Sequence, residues 1–142
     1  MNYPMQIPPR KTWLSLLWIF VMFNYLYCDI AGLMDPQLLN QYLSGSVEGI
    51  SMTPEFLLLA GILMEIPIAM IVLSRILPDR SNAWFNLVAS FISTAAMVGS
   101  LLVGIPAIYY AFFAVIEITT TVYIFTISLR WLSEKRVVAS VG

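Results

Sequence analysis

Long apolar stretches alternate with short polar breaks along this chain. Four stretches are predominantly apolar and about 20 residues long, the length that a helix needs to cross a bilayer core of roughly 30 Å. They cover residues 13–31, 54–76, 83–103 and 107–129. The pattern therefore predicts four transmembrane helices.

The connections between the last three stretches are too short for anything but turns. Residues 77–81 and 104–106 contain Pro or Gly, which are typical of turns. Short connections make neighbouring helices antiparallel. The sequence thus predicts an all-α, up-down-up-down four-helix bundle, in a single transmembrane domain over residues 1–142.

The first connection, residues 32–52, is the only long one between the predicted spans. Asp35 followed by Pro36 is typical of a helix start, and Gly45 of a helix end. A short amphipathic helix is therefore predicted over residues 36–43. We expect it to lie on the outer membrane surface, either as a lid or as a plain spacer.

Charge gives the predicted bundle an orientation. Only 11% of the residues are charged, against 60% hydrophobic residues and a mean hydropathy of +0.85. In the four-span arrangement every basic residue falls at one end, and basic residues favour the cytoplasmic side. We therefore expect both termini in the cytoplasm. These residues are Arg10, Lys11, Arg75, Arg80, Arg130, Lys135 and Arg136.

Composition excludes several kinds of chemistry. The chain has no His and a single Cys, Cys28, so it has no histidine metal ligand, no disulfide within the chain and no thiolate cluster. Its net charge of −1 offers no basic surface to nucleic acid. We expect no cofactor, no metal site and no nucleic-acid partner.

Three acidic residues fall inside the predicted spans: Asp29, Glu65 and Glu117. An ionisable group in hydrocarbon costs roughly 2.5–3.5 kcal/mol on insertion scales, so its presence points to a specific role. Glu65 and Glu117 lie near the bilayer midplane, and Asp29 lies closer to the outer surface. Asn24 and Ser93 are equally central in their own spans.

Two interpretations of these polar groups are open. In one, they are hydrogen-bonding contacts between helices, worth on the order of 0.6 kcal/mol each. In the other, which we favour, they line a pocket that opens outwards. Whether Glu65 and Glu117 share that pocket stays open. No catalytic residue is assigned, and the candidate ligand-binding residues are Asn24, Tyr25, Tyr27, Asp29, Glu65, Ser93, Tyr110 and Glu117.

Four motifs carry a family resemblance. They are WIFVMFNYLYCD at residues 18–29, LMDP at 33–36, LMEIPIAM at 63–70, and Tyr109-Tyr110 with IEI at 116–118. They resemble a family of small bacterial four-span membrane proteins of unknown function, and the second span is distantly DoxX-like. The resemblance implies the bacterial cytoplasmic (inner) membrane and no established activity.

The sequence therefore favours a protein that binds a small lipophilic or cationic molecule within the bilayer. The alternatives are a proton-coupled small transporter, an intramembrane isomerase-like enzyme and an accessory subunit of a membrane complex. Small residues on the third span, such as Ala95 and Gly99, suggest a homo-oligomer packed through that span.

Overall fold

The structure is a computed structural model that describes residues 9–103 and 106–141. From residue 135 onwards it describes the backbone only, so the side chains of Lys135 and Arg136 are outside the description. The turn predicted at Gly104 and Ile105 also lies outside the described residues.

Five helices and a two-stranded hairpin make up the described chain. Four of the helices, α1, α3, α4 and α5, are long and apolar enough to cross a membrane, which confirms the all-α four-helix bundle. In chain order the elements are α1 (Arg10–Met34), α2 (Pro36–Ser44), β1 (Ser46–Val47), β2 (Ile50–Ser51), α3 (Pro54–Ile76), α4 (Asp79–Leu101) and α5 (Ile108–Val141).

The bounds of the long helices differ from the predicted spans at α1, α4 and α5. α4 begins at Asp79 and not at residue 83, so most of the turn expected over residues 77–81 is helical. Pro78 lies at the N-cap of α4, and Asp79 provides an acidic first turn that suits the positive end of the helix dipole. α1 is longer than its span at both ends, and α5 continues past residue 129 to Val141.

Helix caps fix the loop between α1 and α3. The Asp35 side chain accepts a hydrogen bond from the Gln37 backbone at 2.9 Å and starts α2, and Thr53 accepts from the Phe56 backbone at 3.2 Å and starts α3. The hairpin between them was not predicted. Its turn contains Glu48 at φ 47° and Gly49 at φ 81°, and positive φ at both central positions is the type I′ geometry.

The four long helices form a ring in which each one packs against two neighbours. α1 contacts α3 and α5, and α4 contacts α3 and α5. The buried apolar core lies between them around Leu14, Trp18, Val21, Met70 and Ile124.

Ion pairs tie the helix ends together at what we call the basic end. The Arg10 guanidinium lies 2.9 Å from the Glu134 carboxylate and 5.2 Å from the centre of the Trp131 ring. The Lys11 ammonium lies 3.1 Å from the Asp79 carboxylate and donates to the Leu77 carbonyl at 2.8 Å. The start of α1, the α3–α4 connection and the end of the α5 span thus lie together, as an up-down-up-down bundle requires. The opposite end, which carries α2 and the hairpin, we call the loop end.

A fully buried hydrogen-bond network fills the half of the bundle near the basic end. The side-chain oxygen of Asn86, Oδ1, accepts hydrogen bonds from Trp18 Nε1 at 2.7 Å and from Ser74 Oγ at 3.2 Å. Its amide nitrogen donates to Asn82 Oδ1 at 2.6 Å, and Asn82 in turn donates to the Ser74 carbonyl at 2.6 Å. Asn86 therefore links α1, α3 and α4 in a region with no access to water.

We predict that Asn86→Leu destabilises the protein by about 1–3 kcal/mol, because the Trp18 indole N–H and Asn82 Oδ1 both lose their hydrogen-bond partner in the interior. Denaturation in detergent, monitored by circular dichroism, measures the change in the free energy of unfolding. Ser90→Ala is the matched control, since Ser90 is also fully buried on α4 but donates only to Leu87 of its own helix. Equal losses in the two variants would contradict the importance of the network.

The basic residues predict that the loop end faces outwards, and thiol labelling tests this. In a Cys28→Ser background, a membrane-impermeant maleimide added to intact bacterial cells should label Glu48→Cys, which is exposed in the hairpin turn. It should label Ser133→Cys, which is exposed near the basic end, only after permeabilisation. The opposite labelling order would show that the orientation is wrong.

Candidate functional site

A cavity of about 180 Å³ lies between the four long helices, in the half of the bundle nearer the loop end. Each helix contributes to its wall: α1 from residue 25 to 29, α3 from 60 to 67, α4 from 92 to 100, and α5 at one position. The lining residues are Tyr25, Cys28, Asp29, Ala60, Leu63, Met64, Pro67, Ile92, Ser93, Ala96, Met97, Ser100 and Tyr110.

The cavity wall is mostly apolar, with a few polar groups that converge on the loop end. The Tyr110 hydroxyl donates to Ser100 Oγ at 2.6 Å, and Ser100 donates to the Met97 carbonyl at 2.7 Å. These two hydrogen bonds join α5 to α4 beside the cavity. An apolar body with a small number of fixed polar groups is typical of sites for small molecules.

Glu117 is the most unusual group near the cavity. Its side chain is 1% exposed, and neither carboxyl oxygen has a hydrogen-bond partner among the described residues. A buried polar group without a partner costs free energy, and a charged one costs more. Such a group in a folded protein needs an explanation, and a role in binding a ligand is one.

Helix register places Glu117 at the depth of the cavity. α4 and α5 are antiparallel and are joined by two side-chain hydrogen bonds, Thr94 to Thr121 at 2.8 Å and Tyr110 to Ser100 at 2.6 Å. Glu117 lies between Tyr110 and Thr121 along α5, so it is level with the α4 segment that lines the cavity. It is not itself a lining residue of the cavity.

The electrostatic environment of the cavity is one-sided. Glu117 is within electrostatic range of Tyr25, Cys28, Asp29 and Tyr110, all of which line the cavity. The basic residues with described ion pairs lie at the other end of the bundle. Two carboxyl groups thus flank an apolar cavity, with no basic side chain in its lining. This arrangement favours a positively charged guest.

α2 lies close to this part of the bundle. Gly32 of α1 is buried, and a Cβ added there would lie 3.1 Å from a Leu38 methyl group and 3.7 Å from the Tyr109 hydroxyl. Burial, and then the nearby Asp29 and Cys28, raise the pKa of the Tyr42 phenol above its usual range. α2 therefore packs on α1 beside the loop end of the cavity, although Tyr42 itself is 45% exposed.

Five of the eight candidate residues are brought together. Tyr25, Asp29, Ser93 and Tyr110 line the cavity, and Glu117 is buried at the same depth of the bundle. Their role in binding stays a prediction. Cys28 lines the cavity as well, although it is not among the eight candidates.

The other three candidates lie elsewhere. Glu65 is exposed on the outside of α3, which corrects the expectation that it faces an inner pocket. Successive helical residues are rotated by about 100°, so when Met64 and Pro67 face the cavity Glu65 is turned away. Tyr27 is 59% exposed for the same reason on α1, and the Asn24 amide is buried but donates to the Phe20 carbonyl of its own helix at 2.9 Å.

Met64, Pro67, Met97 and Ser100 also line the cavity and were missed as site residues. Ser100 lies on the polar stripe of α4, the helix face that also carries Asn86, Ser90 and Ser93 at helical spacing, so the sequence carried a signal for it. The two methionines carried none, because a Met in a membrane span looks the same whether it packs in the core or lines a cavity.

Comparison with known proteins gives a family but no activity. A family described as having unknown function, DUF6326, matches residues 6–138 of the chain. No curated protein and no solved structure matches it. Because the family match covers nearly the whole chain, this four-span protein belongs to the DUF6326 family.

Proposed function

We propose that this membrane protein binds a small lipophilic cation in the cavity between its four long helices. The observation that carries the proposal is the buried Glu117 carboxyl group, which has no described partner and lies beside an apolar cavity. A cationic ligand provides the opposite charge that the described residues do not provide to Glu117 and Asp29.

The size of the cavity limits the ligand. An engineered apolar cavity of about 150 Å³ holds one benzene molecule. The present cavity, at about 180 Å³, therefore suits a single ring with a short polar arm. The Tyr25 and Tyr110 rings provide aromatic surfaces that attract cations as well as apolar groups.

The close packing in the half of the bundle near the basic end favours ligand binding over transport as the function. Leu14, Trp18 and Asn86 are completely buried there, and the Asn86 network closes the space between α1, α3 and α4. A transporter needs a route from the site to both membrane faces, whereas this cavity lies in the half near the loop end. Proton-coupled transport and intramembrane catalysis remain alternative proposals without a specific observation in their favour.

We expect single-ring amines to stabilise the purified protein, since a ligand that binds only the folded state raises its stability. The probes are benzylamine and 2-phenylethylamine, each compared with the matching alcohol in a thermal-shift assay. Glu117→Gln should weaken amine binding by roughly tenfold or more, because the neutral amide loses the charge attraction.

Glu65→Gln is the matched control, because it makes the same chemical change on the outside of α3. It should leave amine binding unchanged. Equal stabilisation by amines and alcohols, or equal binding by wild type and Glu117→Gln, would contradict the proposal.

A further inference from the structure

Glu65 lies at the surface of the bundle in the middle of a membrane span. It is the central residue of the 23-residue helix α3, and it is exposed. It forms no hydrogen bond or ion pair with the described residues. A carboxyl group facing hydrocarbon at this depth is unfavourable, so the monomer alone does not account for it.

The residues in line with Glu65 form a continuous exposed seam along α3. Positions spaced by three and four residues share one face of a helix, and this heptad spacing is that of a helix–helix contact. All of the positions in the seam are exposed in the bundle. We call them the α3 seam: Leu58, Gly61, Glu65, Ile68, Val72 and Arg75.

Buried residues are described along the full length of three long helices, α1, α3 and α4. Of these, α3 is the one that the rest of the bundle covers least. It buries three residues, whereas α1 and α4 bury seven each. Residues 54–63 are exposed on every face except at Ala60, which is half-buried. A Cβ added at Gly61 would meet nothing within 4 Å, so none of the described residues packs on the seam there.

We infer that the α3 seam is the interface at which a second copy of this chain packs, with the two Glu65 carboxyl groups facing each other. Copies that insert in the same orientation and are related by a two-fold axis place each seam residue opposite itself. Gly61 then allows a close approach of the two backbones. A carboxyl group that holds its proton both donates and accepts, so two of them are self-complementary.

Glu65 also favours α3 over α4 as the contact between copies. α4 carries exposed small residues, Ala95 and Gly99, that also permit close packing. The exposed surface around them holds no ionisable group in need of a partner. Glu65 supplies such a group on α3, so the seam replaces the third span as the expected contact.

Disulfide cross-linking between copies tests the arrangement. In a Cys28→Ser background, single cysteines at Leu58→Cys, Gly61→Cys and Ile68→Cys should form dimers in membranes when copper phenanthroline is added as oxidant. Leu59→Cys is the matched control, because it is 57% exposed but lies outside the seam. Gly99→Cys tests the α4 face.

Substitution of Glu65 provides a second measurement. Glu65→Leu should raise the dissociation constant of the dimer by roughly tenfold. Energy transfer between labelled copies in liposomes measures this constant. Glu65→Gln should keep the dimer, because two side-chain amides also pair. Since Leu is more apolar than Glu, a loss of dimer in Glu65→Leu does not reflect a failure of the monomer to insert.

Cross-links confined to the seam, together with a weaker Glu65→Leu dimer, would support the inference. It would be overturned by cross-linking at Leu59→Cys or Gly99→Cys as fast as at Gly61→Cys. It would also be overturned by a monomeric wild type, or by a Glu65→Leu protein that dimerises like wild type. If another membrane protein covers the seam, the wild-type protein alone stays monomeric, and this result also overturns the inference.

Discussion

A polar side chain inside a bilayer has to find its partner in protein, because hydrocarbon provides none. This constraint organises the whole bundle. In the half near the basic end it is met within the chain, where Asn86 uses both its amide nitrogen and its carbonyl oxygen in hydrogen bonds that join three helices. That half is consequently packed and closed.

Near the middle of the bundle, the Glu117 and Glu65 carboxyl groups have no partner among the described residues. Glu117 is buried beside a cavity, and Glu65 is exposed to the surroundings of the bundle. The first points to a small guest inside the protein, and the second to a neighbour outside it. The two proposals are independent, since neither carboxyl group needs the other for its role.

Much of the fold was predictable from the sequence because the bilayer imposes a simple rule on length and hydropathy. The four apolar stretches indicate the long helices and their order, and Asp35 indicates the start of α2. The hairpin escaped prediction because two-residue strands carry no periodic pattern. The turn before α4 is shorter than the sequence predicts, because a single residue, Pro78, is enough to start that helix.

The site was only partly predictable, because the rotation of each helix is set by its neighbours. Charge in a membrane span singled out Asp29, Glu65 and Glu117 equally. Nothing in a uniformly apolar span tells which face turns inwards, and α3 turns Pro67 towards the cavity and Glu65 away from it. The serine-rich face of α4 was easier to place because its polar stripe marks the inner side.

Carboxyl chemical shifts test the central claim most directly. The chain has five glutamates, at positions 48, 55, 65, 117 and 134, so carboxyl-labelled glutamate gives few resonances, and Glu→Gln variants assign them. The account predicts that titration with 2-phenylethylamine shifts the Glu117 resonance alone, and that 2-phenylethanol does not shift it. A Glu117 resonance that stays fixed at saturating amine would contradict the account.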